Sequence, residues 1–124
     1  MRNIVVILFT SILLTACNAN HSTLSISELE VVPEEVQDAI DPESTLQLID
    51  EGKKTAYVVY QSKGEVNTDL EEQGDTLKIK LNVTKEDDNV IVQRVYKLTL
   101  DDKNKTLYVL INGESTPFDV VTGI

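Results

Sequence analysis

The run Leu77-Lys78-Ile79-Lys80-Leu81-Asn82-Val83 constrains the fold more than any other stretch of this chain. Successive side chains of a strand point to opposite faces, so Leu, Ile, Leu and Val share one face while Lys, Lys and Asn share the other. One face is buried and one is wet. Val66, Thr68 and Leu70 alternate in the same way on a preceding strand, and Val90 through Leu100 forms a longer one after the acidic turn Glu86-Asp87-Asp88-Asn89. Thr45-Leu46-Gln47-Leu48-Ile49 and Thr55-Ala56-Tyr57-Val58-Val59-Tyr60 flank the charged turn Glu51-Gly52-Lys53-Lys54 and read as a hairpin, and Ser62-Lys63-Gly64 ends its second strand. Asp101-Asp102-Lys103-Asn104-Lys105 turns the chain into Thr106 through Ile111. Asn112-Gly113 then supplies the dipeptide that type I′ turns favour, because both central residues need positive φ. A final strand through Phe118 and Val121 is expected to pair back.

Upstream, Val32-Pro33-Glu34-Glu35-Val36-Gln37-Asp38-Ala39-Ile40 carries the start signals of a helix, with Pro at the first helical position and two acids at the positive end of the dipole. Val36, Ala39 and Ile40 fall on one face. Asp41-Pro42 closes the helix, since the residue before proline is pushed out of the α region. Leu24, Ile26, Leu29 and Val31 fit either a short strand or a helical turn. The expected fold is therefore α+β, an antiparallel sheet of five to seven strands with one short helix packed on one face, in a single domain spanning 32–124. From Pro33 onward the 92 residues can bury roughly 60–65% of their unfolded surface, enough for a core without metal or disulfide.

The amino terminus has a different grammar. Arg2 precedes the apolar run Ile4 to Leu14, about eleven residues, which is too short for a spanning helix of about 20 residues. It ends in Leu14-Thr15-Ala16-Cys17, a sequence that resembles the lipobox of bacterial lipoproteins. The resemblance covers residues 1–17 and implies that 1–16 is a signal peptide and that Cys17 receives diacylglycerol and becomes the first mature residue. Two or more acyl chains hold a protein stably on a membrane where a single chain binds reversibly. The implied location is the outer face of the bacterial cell membrane, with residues 17–31 forming the lipidated Cys and a flexible tether. Cys17 is the only cysteine, so no intramolecular disulfide is available.

Little chemistry can be assembled from what remains. The one histidine, His21, lies in the polar tether, whereas nucleophilic catalysis needs a nucleophile beside a positioned base. One Cys and one His cannot supply a zinc cage. Five glycines include no phosphate-cradling loop or dinucleotide fingerprint, so no catalytic residue, cofactor site or metal site is expected. The acidic clusters Glu86-Asp87-Asp88-Asn89 and Asp101-Asp102-Lys103-Asn104 offer oxygen ligands of the kind calcium takes, but their spacing does not match an EF-hand loop and they read as hairpin turns. Carboxylate pairs are numerous by chance among 21 acids. Removing residues 1–16 leaves ten Lys and Arg against those 21 acids, a formal charge of −11 that repels nucleic acid and anionic lipid headgroups. Tyr57, Tyr60, Tyr96 and Tyr108 lie on strands, where a tyrosine can bury its ring and offer its hydroxyl, and they form the candidate binding face. Open sheet edges are a second route to a partner chain, and Pro117 blunts one of them.

The segment Val32 to Ile40, the hairpin into Thr55-Ala56-Tyr57-Val58-Val59, the run Asp75-Thr76-Leu77-Lys78-Ile79-Lys80-Leu81 and the strand through Val95-Tyr96-Lys97-Leu98 are similar to the family of envelope protease-complex B subunits (PrcB-like). The resemblance covers about two thirds of the mature chain. It implies an accessory or inhibitor-like module with a protease or other exported protein as partner, although Ser62-Lys63-Gly64-Glu65-Val66 stands where that family has a glycine-rich turn. The overall plan also resembles small lipoproteins of low-GC Gram-positive bacteria, some of which carry a peptidyl-prolyl isomerase label; the parvulin-like His and Cys or Asp positions are not found in this sequence. The expected function is a non-enzymatic, lipid-anchored protein-binding or accessory module, with an isomerase-type foldase and an immunity or inhibitor lipoprotein as the competing readings. Expressed in a Gram-positive host, the protein is expected in the membrane fraction with the intact mass of an acylated chain beginning at Cys17. Cys17→Ala is expected to retain residues 1–16 and to carry no acyl mass.

Overall fold

The computed structural model describes residues 24–84, 90–101 and 106–124. Nine strands and one helix follow in order: β1 (Ser25–Glu28), α1 (Glu34–Ala39), β2 (Leu46–Gly52), β3 (Thr55–Ser62), β4 (Glu65–Gln73), β5 (Thr76–Thr84), β6 (Val92–Thr99), β7 (Thr106–Ile111), β8 (Glu114–Thr116) and β9 (Val120–Gly123). They form two sheets, ordered β1-β6-β3-β2-β9 and β4-β5-β7-β8. The broad expectation of an α+β fold, strands with one short helix, holds, with the strands predominating. The expected single antiparallel sheet of five to seven strands does not: there are two sheets, and both are mixed, because β2 pairs with β9 and β5 with β7 in parallel.

Burial explains the division. Ala56, Tyr57, Val58, Val59 and Tyr60 are all buried, so β3 is covered on both faces and reads as a continuous apolar run. Alternate residues of β3 enter two cores. Ala56, Val58 and Tyr60 pack with Leu77, Ile79, Leu81, Tyr96, Leu98 and Val109 between the sheets, whereas Tyr57 and Val59 pack with Val36, Ile49 and Val95 under the helix. Strand β6 is likewise two-sided and lies beside β3. Strand β5 is covered on one face only, with Leu77, Ile79 and Leu81 fully buried and Lys78 and Lys80 on the other side. Since β6 leaves for the central sheet, β7 returns beside β5 running in the same direction.

The helix begins after Pro33 and presents Val36, Ala39 and Ile40 to the smaller core. Its exit is held by Gln47, a buried side chain whose Oε1 accepts the Asp41 N–H at 2.9 Å and whose Nε2 donates to the Ala39 carbonyl at 2.9 Å. A buried amide left unpaired would cost about 1–3 kcal/mol, so both bonds matter. At the amino-terminal side, Ser25–Glu28 pairs antiparallel with β6. Residues expected in the tether therefore belong to the sheet, because Ile26 has a place against the inter-sheet core.

The last expected strand divides in two. Asn112 and Gly113 take φ of 52° and 83° as a type I′ turn requires, and β8 pairs back for three residues. Pro117 cannot donate to a ladder, and the chain then crosses to the other sheet. There the Asp119 carboxylate accepts the Thr45 and Leu46 N–H groups at 3.0 and 3.1 Å, which seats β9 against β2. The β2–β3 turn is less well matched to its sequence. Lys53 and Lys54 occupy positive φ of 50° and 66°, next to a register shift between Asp50 and Gly52. Side chains with a Cβ pay roughly 1–2 kcal/mol in that region. The double variant Lys53→Asn, Lys54→Gly is expected to raise unfolding stability by about 1 kcal/mol in denaturant titration.

Candidate functional site

An open, partly apolar surface lies where β1 leaves β6. The Leu29 N–H donates to the Val95 carbonyl at 2.8 Å, and Glu30, Val31 and Val32 then swing away toward the helix. The divergence leaves a shallow groove of about 600 Å³ lined by Glu30, Val31, Val32, Gln37, Ile40, Pro42 and Gln93. Its floor is fixed by polar bonds. Gln37 Nε2 donates to the Val32 carbonyl at 2.8 Å, and Gln61 Nε2 donates to the carbonyls of Pro42 and Ser44 at 2.9 Å each. Val31 is 84% exposed, and Val90 and Ile91, which lead into β6, are 60% and 59% exposed. Val31, Val32 and Ile40 together line the groove, and contiguous apolar surface marks an interaction site more often than scattered side chains do.

On the inter-sheet side of the same end, Arg94 stands opposite Tyr60 in the β3–β6 register. Its Nη1 donates to Glu28 Oε2 at 3.3 Å and its Nη2 to the Gly64 carbonyl at 3.1 Å. One guanidinium thus ties β1 and the β3–β4 turn to β6. Arg94 Nε, Ser62 Oγ and Tyr96 Oη are buried there without a hydrogen-bond partner among the described residues. Burial pushes the Tyr96 phenol up to about 12, the nearby Glu28 carboxylate adds to the rise, and Arg94 opposes it.

The four candidate tyrosines do not share a face. Tyr60 and Tyr96 are buried between the sheets and Tyr57 is buried under the helix, where its hydroxyl donates to Glu51 Oε1 at 3.0 Å. Burial, followed by that bond, raises the Tyr57 phenol above its usual value, and burial alone raises Tyr60. Tyr108 is exposed on the outer side of the second sheet, paired in register with Lys78. That outer side also carries Glu71, whose carboxyl is held low by its hydrogen bond to Lys80, at 2.6 Å. Rings on β3 and β6 are drawn inward because both strands are covered twice.

Cys17 and His21, together with residues 85–89 and 102–105 of the acidic turns, lie outside the described residues. Among the described residues, no group of three or more His, Cys, Asp or Glu side chains lies close enough to hold a metal ion, and no helix is long and apolar enough to cross a membrane. Comparison with protein-family models, curated proteins and solved structures finds no match to the chain. The groove itself was not foreseen from sequence. Two signals pointed near it: the Val90-Ile91-Val92 run, and the nine acids with no Lys or Arg across residues 24–52.

A tyrosine whose phenol is raised in the folded state adds stability that is complete below pH 10, the ordinary value, and is lost as pH climbs through about 12. Stability is therefore expected to fall from pH 10 upward. Tyr96→Phe is expected to flatten that fall while leaving neutral-pH stability unchanged or about 1 kcal/mol higher, since it deletes a buried unpaired hydroxyl. Denaturant titrations across the alkaline range check both.

Proposed function

We propose that this chain is a lipid-anchored, extracytoplasmic, non-enzymatic protein-binding module on the outer face of a bacterial membrane, of Gram-positive type, serving as an accessory to an exported protein such as an envelope protease. The observation that carries the binding reading is the open groove at the β1–β6 end, lined by the aliphatic side chains of Val31, Val32 and Ile40, with Val31 exposed to solvent. Such exposure costs solubility for a free protein and is offset when a partner covers it. The lipobox Leu14-Thr15-Ala16-Cys17 supports the anchor, and the acidic body supports a domain held clear of anionic headgroups. The resemblance to the protease-complex B subunits is consistent with an exported partner.

The foldase alternative requires a surface that accelerates proline isomerisation. At micromolar concentration the protein is expected to leave the isomerisation rate of a model prolyl peptide unchanged, and crosslinking in intact cells is expected to give a small number of discrete adducts that depend on Cys17. A clear rate acceleration would reverse the ranking in favour of the foldase.

A further inference from the structure

We infer that the groove at the β1–β6 end accepts an extended segment of a cationic partner, laid along the open edge of β6 with apolar side chains at alternate positions. The inference rests on the protein-binding reading and specifies its surface.

Three observations converge on it. Strand β1 covers β6 only from Thr99 to Tyr96, with one further bond to Val95, so among the described residues no strand pairs with Val92–Arg94 on that side. Backbone groups alternate sides along a strand, and with Val95 bonded toward β1 it is Gln93 whose N–H and C=O face the open side, a short template for β-augmentation. Beside this edge lie the aliphatic side chains of Val31, Val32 and Ile40, which would receive every second residue of an added strand. The third observation is charge. Glu30 lines the groove, Glu34 and Glu35 are exposed in the first turn of the adjoining helix, and no Lys or Arg occurs anywhere in residues 24–52. That field favours Lys and Arg on the outward positions of the added strand. It also disfavours a second copy of this chain as occupant, because both faces would bring the same acids together.

Photocrosslinking in intact cells tests the surface, using the full chain with a photoreactive residue placed at Val31, Ile91, Tyr108 or Ser115. Adducts from positions 31 and 91 are expected to exceed those from 108 and 115 by at least tenfold. The crosslinked segment is expected to alternate apolar residues with Lys or Arg. As a defined probe, a fluorescent octapeptide alternating Lys and Val is expected to bind the detergent-solubilised lipidated chain, more weakly as salt rises. Val31→Ser and Glu30→Lys are each expected to weaken it about tenfold, whereas Val121→Ser, exposed on the far edge strand β9, is expected to leave it unchanged. A peptide with Glu in place of Lys binding equally well would overturn the inference, as would a covalent dimer of this chain or an acidic crosslinked segment. Adducts from 108 or 115 alone would sink this surface while leaving the protein-binding reading intact. No adduct from any of the four positions would sink both.

Discussion

Five consecutive buried residues, Ala56 to Tyr60, set the architecture. A strand with no wet face cannot lie on the outside of a two-layer fold, because each exposed aliphatic or aromatic side chain would forgo about 1.5–3 kcal/mol of burial. It must sit in a middle layer. The helix, flanked by Leu29, Val32 and Ile40, covers one side of it and the four-stranded sheet covers the other, which is why the small helix matters despite its six residues. Gln47 and Gln61 hold that thin outer layer in place by satisfying its backbone carbonyls and an N–H group. Strand β6 then takes the position next to β3, and every other pairing follows from where β6 goes.

The same arrangement creates the groove at the β1–β6 end. The first sheet needs an edge strand beside β6, and β1 supplies it for only four residues before the chain must turn to build the helix. The edge it abandons is bordered by the aliphatic residues of the turn itself. Arg94 sits beneath this end and ties Glu28 to the carbonyl of Gly64, so that the departure of β1 and the crossover into the second sheet are fixed by one side chain. Among the described residues the guanidinium Nε and the Tyr96 hydroxyl are both buried without a hydrogen-bond partner, which places part of the polar cost of the fold at this end. Charge is separated as well: the helix-bearing segment is wholly acidic, while Lys78 and Lys80 stand on the outer face of the second sheet.

Some of this was legible in the residues. Strand β5 and the Asn112-Gly113 turn follow directly from alternation and from the φ demands of the turn, because both depend on neighbours in sequence. The helix start at Pro33 is of the same kind. The tyrosines were not legible, since a strand reading gives the direction in which a side chain points but not whether another layer waits there. Tyr57, Tyr60 and Tyr96 met a layer and Tyr108 did not. The Lys53-Lys54 turn shows the converse, a local preference overridden by the pairing of β2 with β3 on either side of it.

Taken alone, the sequence determined the mostly β character, the places of most turns and the acidic charge, along with the expectation of a lipid anchor at Cys17. These are properties of composition and of short-range periodicity, and they survive whatever the chain packs against. Only the tertiary structure decided that the strands divide into two mixed sheets, that β9 crosses to lie parallel to β2, and that β1 uncovers part of β6. Each of those outcomes depends on which faces become buried together, and contacts between residues dozens of positions apart leave no periodic trace in the chain.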